Sequence, residues 1–270
     1  MRATATVPRT IAVPVATVAA PDPVMRRHML DNIFLEDILF LDIETVPQAF
    51  GLDKLDEISR RLWEDKAAVF CKDGQTPADV YGRAGIYAEF GKIICISVGF
   101  LYRTDETWAL RLKSCFGENE KDLLLEFSET VAKFARQHNT LLCAHNGKEF
   151  DFPYIARRML INGIRLPAVI DVAGKKPWEV PFLDTMELWS FGDRKNYTSL
   201  KLLAHVFDIP SPKDDIDGSQ VAEIFWKEKD LLRIVRYCEK DVLTIARLLL
   251  RYKGLPTIPP EMISSSTIFG

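Results

Sequence analysis

The stretch ILFLDIETVP, residues 38–47, constrains this chain more than any other. Its first four residues are apolar without interruption and read as a short buried strand. Two carboxylates, Asp42 and Glu44, follow directly. Side chains two apart on a strand point to the same face, so the two acids are expected side by side at the strand's carboxyl end. Adjacent anions repel, and nothing in the stretch neutralises them. Taken alone, a D-x-E pair of this kind is simply two solvated acids at a strand terminus. Whether this pair is more than that depends on the rest of the chain.

Pro47 breaks the strand pattern, and the segment up to Gly91 mixes helical pieces with turn residues, which reads as an insertion or flap. KIICISVGFLYR and TWALRLKSCF are two β-rich runs joined by the polar TDE, a hairpin. NEKDLLLEFSETVAKFARQHN has apolar residues at helical spacing, with acids at its start and bases towards its end, as the helix dipole favours. TLLCAH is a second buried strand. From Phe152 the pattern is helical, with Pro153 in the first turn and Asn162-Gly163 as the stop. TSLKLLAHVFDI, which Thr198 or Ser199 can cap, GSQVAEIFWKEK and DLLRIVRYCEKDVLTIARLLLRYK complete the chain as helices. The expected organisation is one mixed α/β domain over residues 31–255, with an insertion after the first strand and tails at 1–30 and 256–270.

With 270 residues, 47% of them apolar, the chain has material for one large core or two small ones. No apolar run approaches the roughly 18 residues of a membrane span. Prolines interrupt the N-terminal apolar stretch, which argues against a signal peptide. The five cysteines are odd in number and scattered, and the four histidines lack H-x-x-x-H or H-E-x-x-H spacing. Reduced, buried thiols in a cytoplasmic protein fit this usage better than disulfides or zinc. A net charge of −3 argues against a protein that coats nucleic acid stoichiometrically, while leaving room for an enzyme that touches a few phosphates.

Two further acids stand in special places. Asp151 follows the second buried strand at the entrance to a helix, where helix capping is the ordinary job of an aspartate. Tyr237 and Asp241 are four apart and share one helix face, where a tyrosine is usually core and an aspartate usually solvated. Together the segments read differently. Asp42, Glu44 and Asp151 sit at the ends of buried elements, and Asp241 interrupts an apolar helix. A dry carboxylate cluster cannot stay ionised without compensation, and divalent cations supply it. Oxygen ligands favour Mg²⁺ or Mn²⁺ over zinc. Two such ions roughly 4 Å apart activate water and stabilise the leaving oxygen of a phosphodiester. Tyr237 would orient the attacking water or help to deprotonate it.

The order D-x-E, N-x-x-x-F-D, Y-x-x-x-D, here LDIET, HNGKEFD and YCEKD, resembles the three motifs of the tyrosine-bearing (DEDDy) branch of the DEDD exonuclease superfamily. A closer likeness runs through EFGKIICISVGF, KKPWEVPFLDTMELWSFGD, YTSLKLLAHVFDIPSPKDDIDGSQV and YCEKDVLTIARLLLR. These segments are similar to the bacterial family of predicted 3′-to-5′ exonucleases related to the proofreading domain of family B DNA polymerases. The resemblance implies an RNase H-like (DnaQ-like) mixed sheet flanked by helices. It also implies metal ligation by Asp42, Glu44, Asp151 and Asp241, assistance from Tyr237, and release of nucleotides from a single-stranded 3′ end, DNA before RNA.

Around these residues, Asn146 either holds the nucleotide or braces its loop, His145 is expected to be structural, and Asp184 is expected to hydrogen-bond groups bordering the site. Between Arg157 and Lys201, basic residues alternate with Trp178, Trp189, Phe191 and Tyr197, a composition able to neutralise phosphates and stack on unpaired bases. An ordinary solvated surface over core aromatics has the same composition. Lys201 and Lys213 are the selected phosphate contacts. The competing function is a catalytically idle nucleic-acid-binding or scaffold module on the same fold, against which the intact acid set argues. A structural subunit that docks a partner through the 47–91 segment is a third reading.

Overall fold

The computed structural model describes residues 29–104, 107–193, 197–210 and 216–268. The N-terminal tail expected over residues 1–30 falls largely outside that set, as does the Asp105-Glu106 tip of the hairpin.

Strand β1 (Ile38–Pro47) is the axis of the molecule. Helix α1 (Glu57–Ala67) lies in the segment that follows it, and strands β2 (Gly91–Arg103) and β3 (Trp108–Phe116) form the expected hairpin. Next come helix α2 (Glu120–Ala135), strand β4 (Leu141–Ala144), helix α3 (Asp151–Ile161), strand β5 (Leu183–Asp184) and helix α4 (Thr185–Ser190). Helices α5 (Leu200–Val206), α6 (Val221–Glu223) and α7 (Leu231–Tyr252) precede a short strand β6 (Ile263–Ser265). The strands make one six-stranded sheet in the order β5-β4-β1-β2-β3-β6. β1 is antiparallel to β2 and parallel to β4. This mixed sheet with helices on both faces is an α/β domain, consistent with the RNase H-like fold that the sequence resemblance implies.

The alternation of β1 explains its continuous apolar start. Leu39, Leu41 and Ile43 join the core that α2 and α3 cover, whereas Ile38 and Phe40 join the core built on Val242, Ile245 and Leu249 of α7. A strand covered on both faces needs apolar residues at every position. By the same period of two, Asp42 and Glu44 continue the Ile38-Phe40 row and face α7.

Sequence reasoning ended this strand at the carboxylates. Instead β1 runs to Pro47, because β2 is long enough to pair with it from Phe100 back to Gly91. The two acids therefore lie inside the strand. Its register slips between Glu44 and Thr45, where the partner steps from Cys95 to Ile93. Such a bulge bends a strand and re-aims nearby side chains.

The 47–91 segment is anchored by its own core. Trp63 of α1 is fully buried and meets Phe70, Tyr81, Tyr87 and Phe90. Asp56 caps α1 by accepting from the Ile58 and Ser59 amides at 3.0 Å. The Tyr154 hydroxyl of α3 donates to the Gly85 carbonyl at 2.8 Å. Gly91 must be glycine there, since a Cβ would come within 2.2 Å of the Tyr154 oxygen. A buried ion pair between Arg158 and Glu120 joins α3 to α2, and Glu120 also accepts from the Ile93 amide at 2.7 Å.

Candidate active site

The site grows from the row on β1. α7 lies across this face of the sheet and brings Cys238 to it. Its thiol donates to Asp42 Oδ2 at 3.4 Å. The preceding residue, Tyr237, packs partly against the small core around Val46 and Ile94 and hydrogen-bonds the Asp241 carboxylate one turn further on. It therefore packs in the core, as a tyrosine on such a helix usually does, while its hydroxyl meets one of the candidate acids.

Asp151 arrives from the other side. β4 ends at Ala144, and its last partner on β1 is Phe40, so the Ile43 amide lies beyond the paired stretch. Asp151 Oδ1 accepts from that amide at 3.2 Å. The aspartate is the first residue of α3, with Phe150 at the capping position, so the capping role is corrected: its carboxylate turns to β1. The loop that aims it is a tight turn. Asn146 takes a left-handed φ of 61°, its carbonyl accepts from the Glu149 and Phe150 amides, and Gly147 packs where a Cβ would lie 2.4 Å from Ala144.

Asp184 braces this loop from behind. Its carboxylate caps α4 through Met186 and accepts from the Asn146 and Lys148 amides at 2.9 and 3.1 Å. His145 bonds the Thr185 hydroxyl and the Thr198 carbonyl, each at 2.9 Å. Its neighbours make it a structural histidine.

Asp42, Glu44 and Asp151 each feel the charge of Asp241 and of at least one further acid. Burial, then the charges of Asp241, Asp151 and Glu44, hold the Asp42 pKa well above the usual carboxylate range, against the hydrogen bond from Cys238. Burial, then Asp241, Cys95 and Asp151, does the same to Glu44. Asp151 is pushed up to about 7, first by burial, with Asp184 and Asp241 adding to the effect and backbone bonds opposing it. Burial and the three nearby acids raise the Tyr237 phenol as well. Among the described residues, the main groups acting on Asp42, Glu44 and Asp151 include no lysine or arginine.

Ligand atoms of Asp42, Glu44 and Cys238 lie within 4.8 Å of one another. The Cys238 thiol is raised by burial and holds its proton, so it serves Asp42 as a donor and leaves an oxygen donor set. A buried, mutually repelling set of oxygens is what a hard divalent cation fits. Cys238 is not among the residues expected from the motifs, although its place three residues before Asp241 puts it on the same helix face.

Residues 86–257 match the family described as predicted 3′-5′ exonucleases related to the exonuclease domain of PolB. The chain belongs to this family. No curated protein matches the sequence. The matched segment contains Asp151, Tyr237 and Asp241 and begins after β1, so within this exonuclease family match Asp42 and Glu44 are joined to the others by the fold alone.

The expected nucleic-acid contacts fare unevenly. Asn146 Oδ1 is buried with no partner among the described residues. Lys201 is exposed on α5 beside Asp217. Lys213, with Arg194 and Lys195, lies outside the described residues. Arg158 is withdrawn from any phosphate by its buried pair with Glu120. Trp178, Phe191 and Tyr197 are 77%, 85% and 70% exposed, whereas Trp189 packs on Phe207 and Tyr252.

Proposed function

We propose that the chain removes nucleotides one at a time from single-stranded 3′ ends, DNA in preference to RNA, as a DEDDy-type exonuclease, with residues 31–255 as the catalytic domain. The observation that carries this reading is the convergence of Asp42, Glu44, Asp151 and Asp241: the pKa values of the first three are raised by burial and by the charge of acidic neighbours, Asp241 among them in each case. Asp42, Glu44, Asp151 and Asp241 would hold two divalent ions, Mg²⁺ or Mn²⁺. When bound, such ions supply an activated water and charge stabilisation for the leaving oxygen.

The protein's own contribution is positioning. The Ile43 amide fixes Asp151, the Cys238 thiol fixes Asp42, and Asp241 fixes the Tyr237 hydroxyl. Tyr237 keeps its phenolic proton and so acts as a donor and acceptor that orients the attacking water. The Asn146 oxygen, without a partner among the described residues, is available to the terminal nucleotide. Lys201 and Lys213 are assigned to backbone phosphates.

A 5′-labelled single strand incubated with Mn²⁺ tests the reading. It is expected to shorten stepwise with wild-type protein and to persist with Asp42→Ala and Asp241→Ala. Persistence of the full-length strand with wild type, for DNA and RNA and with either metal, would leave the idle binding module in its place.

A further inference from the structure

A cavity of about 780 Å³ opens beside the Asn146–Asp151 loop, away from the carboxylates. Its walls include Trp178, Trp189 and Phe191, the last-turn residues Arg251 and Tyr252 of α7, and Lys148, which lies three residues before Asp151. Trp189 and Tyr252 form a stacked pair with ring centroids 6.2 Å apart. Trp178 and Phe191 show most of their surface to solvent. Phe191 ends α4 with a φ of 44°, a left-handed conformation that costs a bulky residue free energy. The protein thus holds a large ring out of its core at some expense.

Among the described residues, the polar side of the cavity has positive charge left over. Lys148 is paired with Glu187. The Arg251 Nε is buried without a partner, and among the described residues the guanidinium meets no carboxylate. Aromatic faces, one of them with the Lys176 ammonium 5.3 Å from the Trp178 ring centroid, beside a guanidinium that meets no carboxylate among the described residues suit a ligand that joins an aromatic ring to an anion. A nucleotide unit of a single strand is such a ligand, since every base has a π-face and every linkage a phosphate.

We infer that this cavity is a second nucleotide subsite, which takes one unpaired base of the strand against Trp178 and Phe191 and its phosphate on Arg251. The assignment rests on the exonuclease reading for the identity of the strand. It places the base remote from the bond that is cut, so the subsite contributes to holding long strands and leaves the chemistry alone.

The test uses the full chain with Mn²⁺, a thymidine 20-mer and a thymidine dinucleotide, in Trp178→Ala and Arg251→Gln. Each variant is expected to raise KM for the 20-mer about tenfold, within what one stacked base contributes. Its kcat on the 20-mer and its kcat/KM on the dinucleotide are expected to stay at the wild-type values. Wild-type KM in both variants would overturn the subsite, as would an equal loss on the dinucleotide. Fluorescence anisotropy of a labelled 20-mer on the metal-free chain separates the two proposals. If wild type cuts nothing, the exonuclease reading fails, while the same tenfold loss of binding in the variants still supports the subsite. Unchanged binding there excludes it.

Discussion

Replacing Asp151 with asparagine should make the metal-free protein more stable while destroying its activity. Asparagine keeps an oxygen that can accept from the Ile43 amide and removes a negative charge from a buried, like-charged cluster. The ordinary carboxyl value is 3.8 and the folded-state value is about 7, so the folded chain retains a proton that the unfolded chain has already lost. Raised folded affinity for the proton means that this contribution is complete below about pH 4, is lost as pH rises through about 7, and levels off above that. Relative to the stability below about pH 4, this group costs the fold about 2 kcal/mol by pH 5, where the folded chain still holds the proton, and about 4 kcal/mol by pH 8, where the carboxylate is ionised. Because neighbouring acids share the proton, removing one charge should return about 2–4 kcal/mol at pH 8. For a chain of this size that corresponds to a Tm higher by roughly 5–15 °C. Scanning calorimetry in excess chelator at pH 8 and pH 5 measures it, and the gain should shrink at the lower pH. An Asp151→Asn protein no more stable than wild type at pH 8 would refute the claim that these carboxylates repel one another in a desolvated site.

Three other outcomes follow from particular contacts. Tyr237→Phe keeps the ring in its core and loses only the hydroxyl, so strand shortening should slow by about 10²-fold in single-turnover assays, with Tm nearly unchanged. Arg158→Ala strands the buried Glu120 carboxylate and should lower stability by about 3–5 kcal/mol in urea unfolding. Trp63→Ala empties the aromatic core of the 47–91 segment and should cost about 3–5 kcal/mol by the same measurement.

Much of this architecture is written locally. The alternation in β1, the hairpin of β2 and β3, the Asn162-Gly163 stop of α3, where Gly163 takes a φ of 68°, and the Ser199 cap of α5 follow from short-range pattern and turn chemistry. The acids of the candidate site also stand out in the sequence, because charge beside buried apolar runs demands an explanation. What local pattern cannot give is register. That Asp42 lies opposite Ser97 and beneath Cys238 depends on how β2 pairs and where α7 crosses, both set by packing between distant segments. The same limit hid the fate of Arg158, whose partner Glu120 comes from another helix. It also hid the strand β6, which pairs with β3 at the sheet edge from within the expected C-terminal tail.

Manganese titration of the full, metal-free chain, followed by the electron paramagnetic resonance of the free ion, reads the acid cluster most directly. The account predicts about two bound ions per wild-type chain, as a two-metal site requires, with binding lost or strongly weakened in Asp42→Ala and in Asp241→Ala. Manganese that binds those two variants as tightly as wild type, or that does not bind wild type, would contradict it.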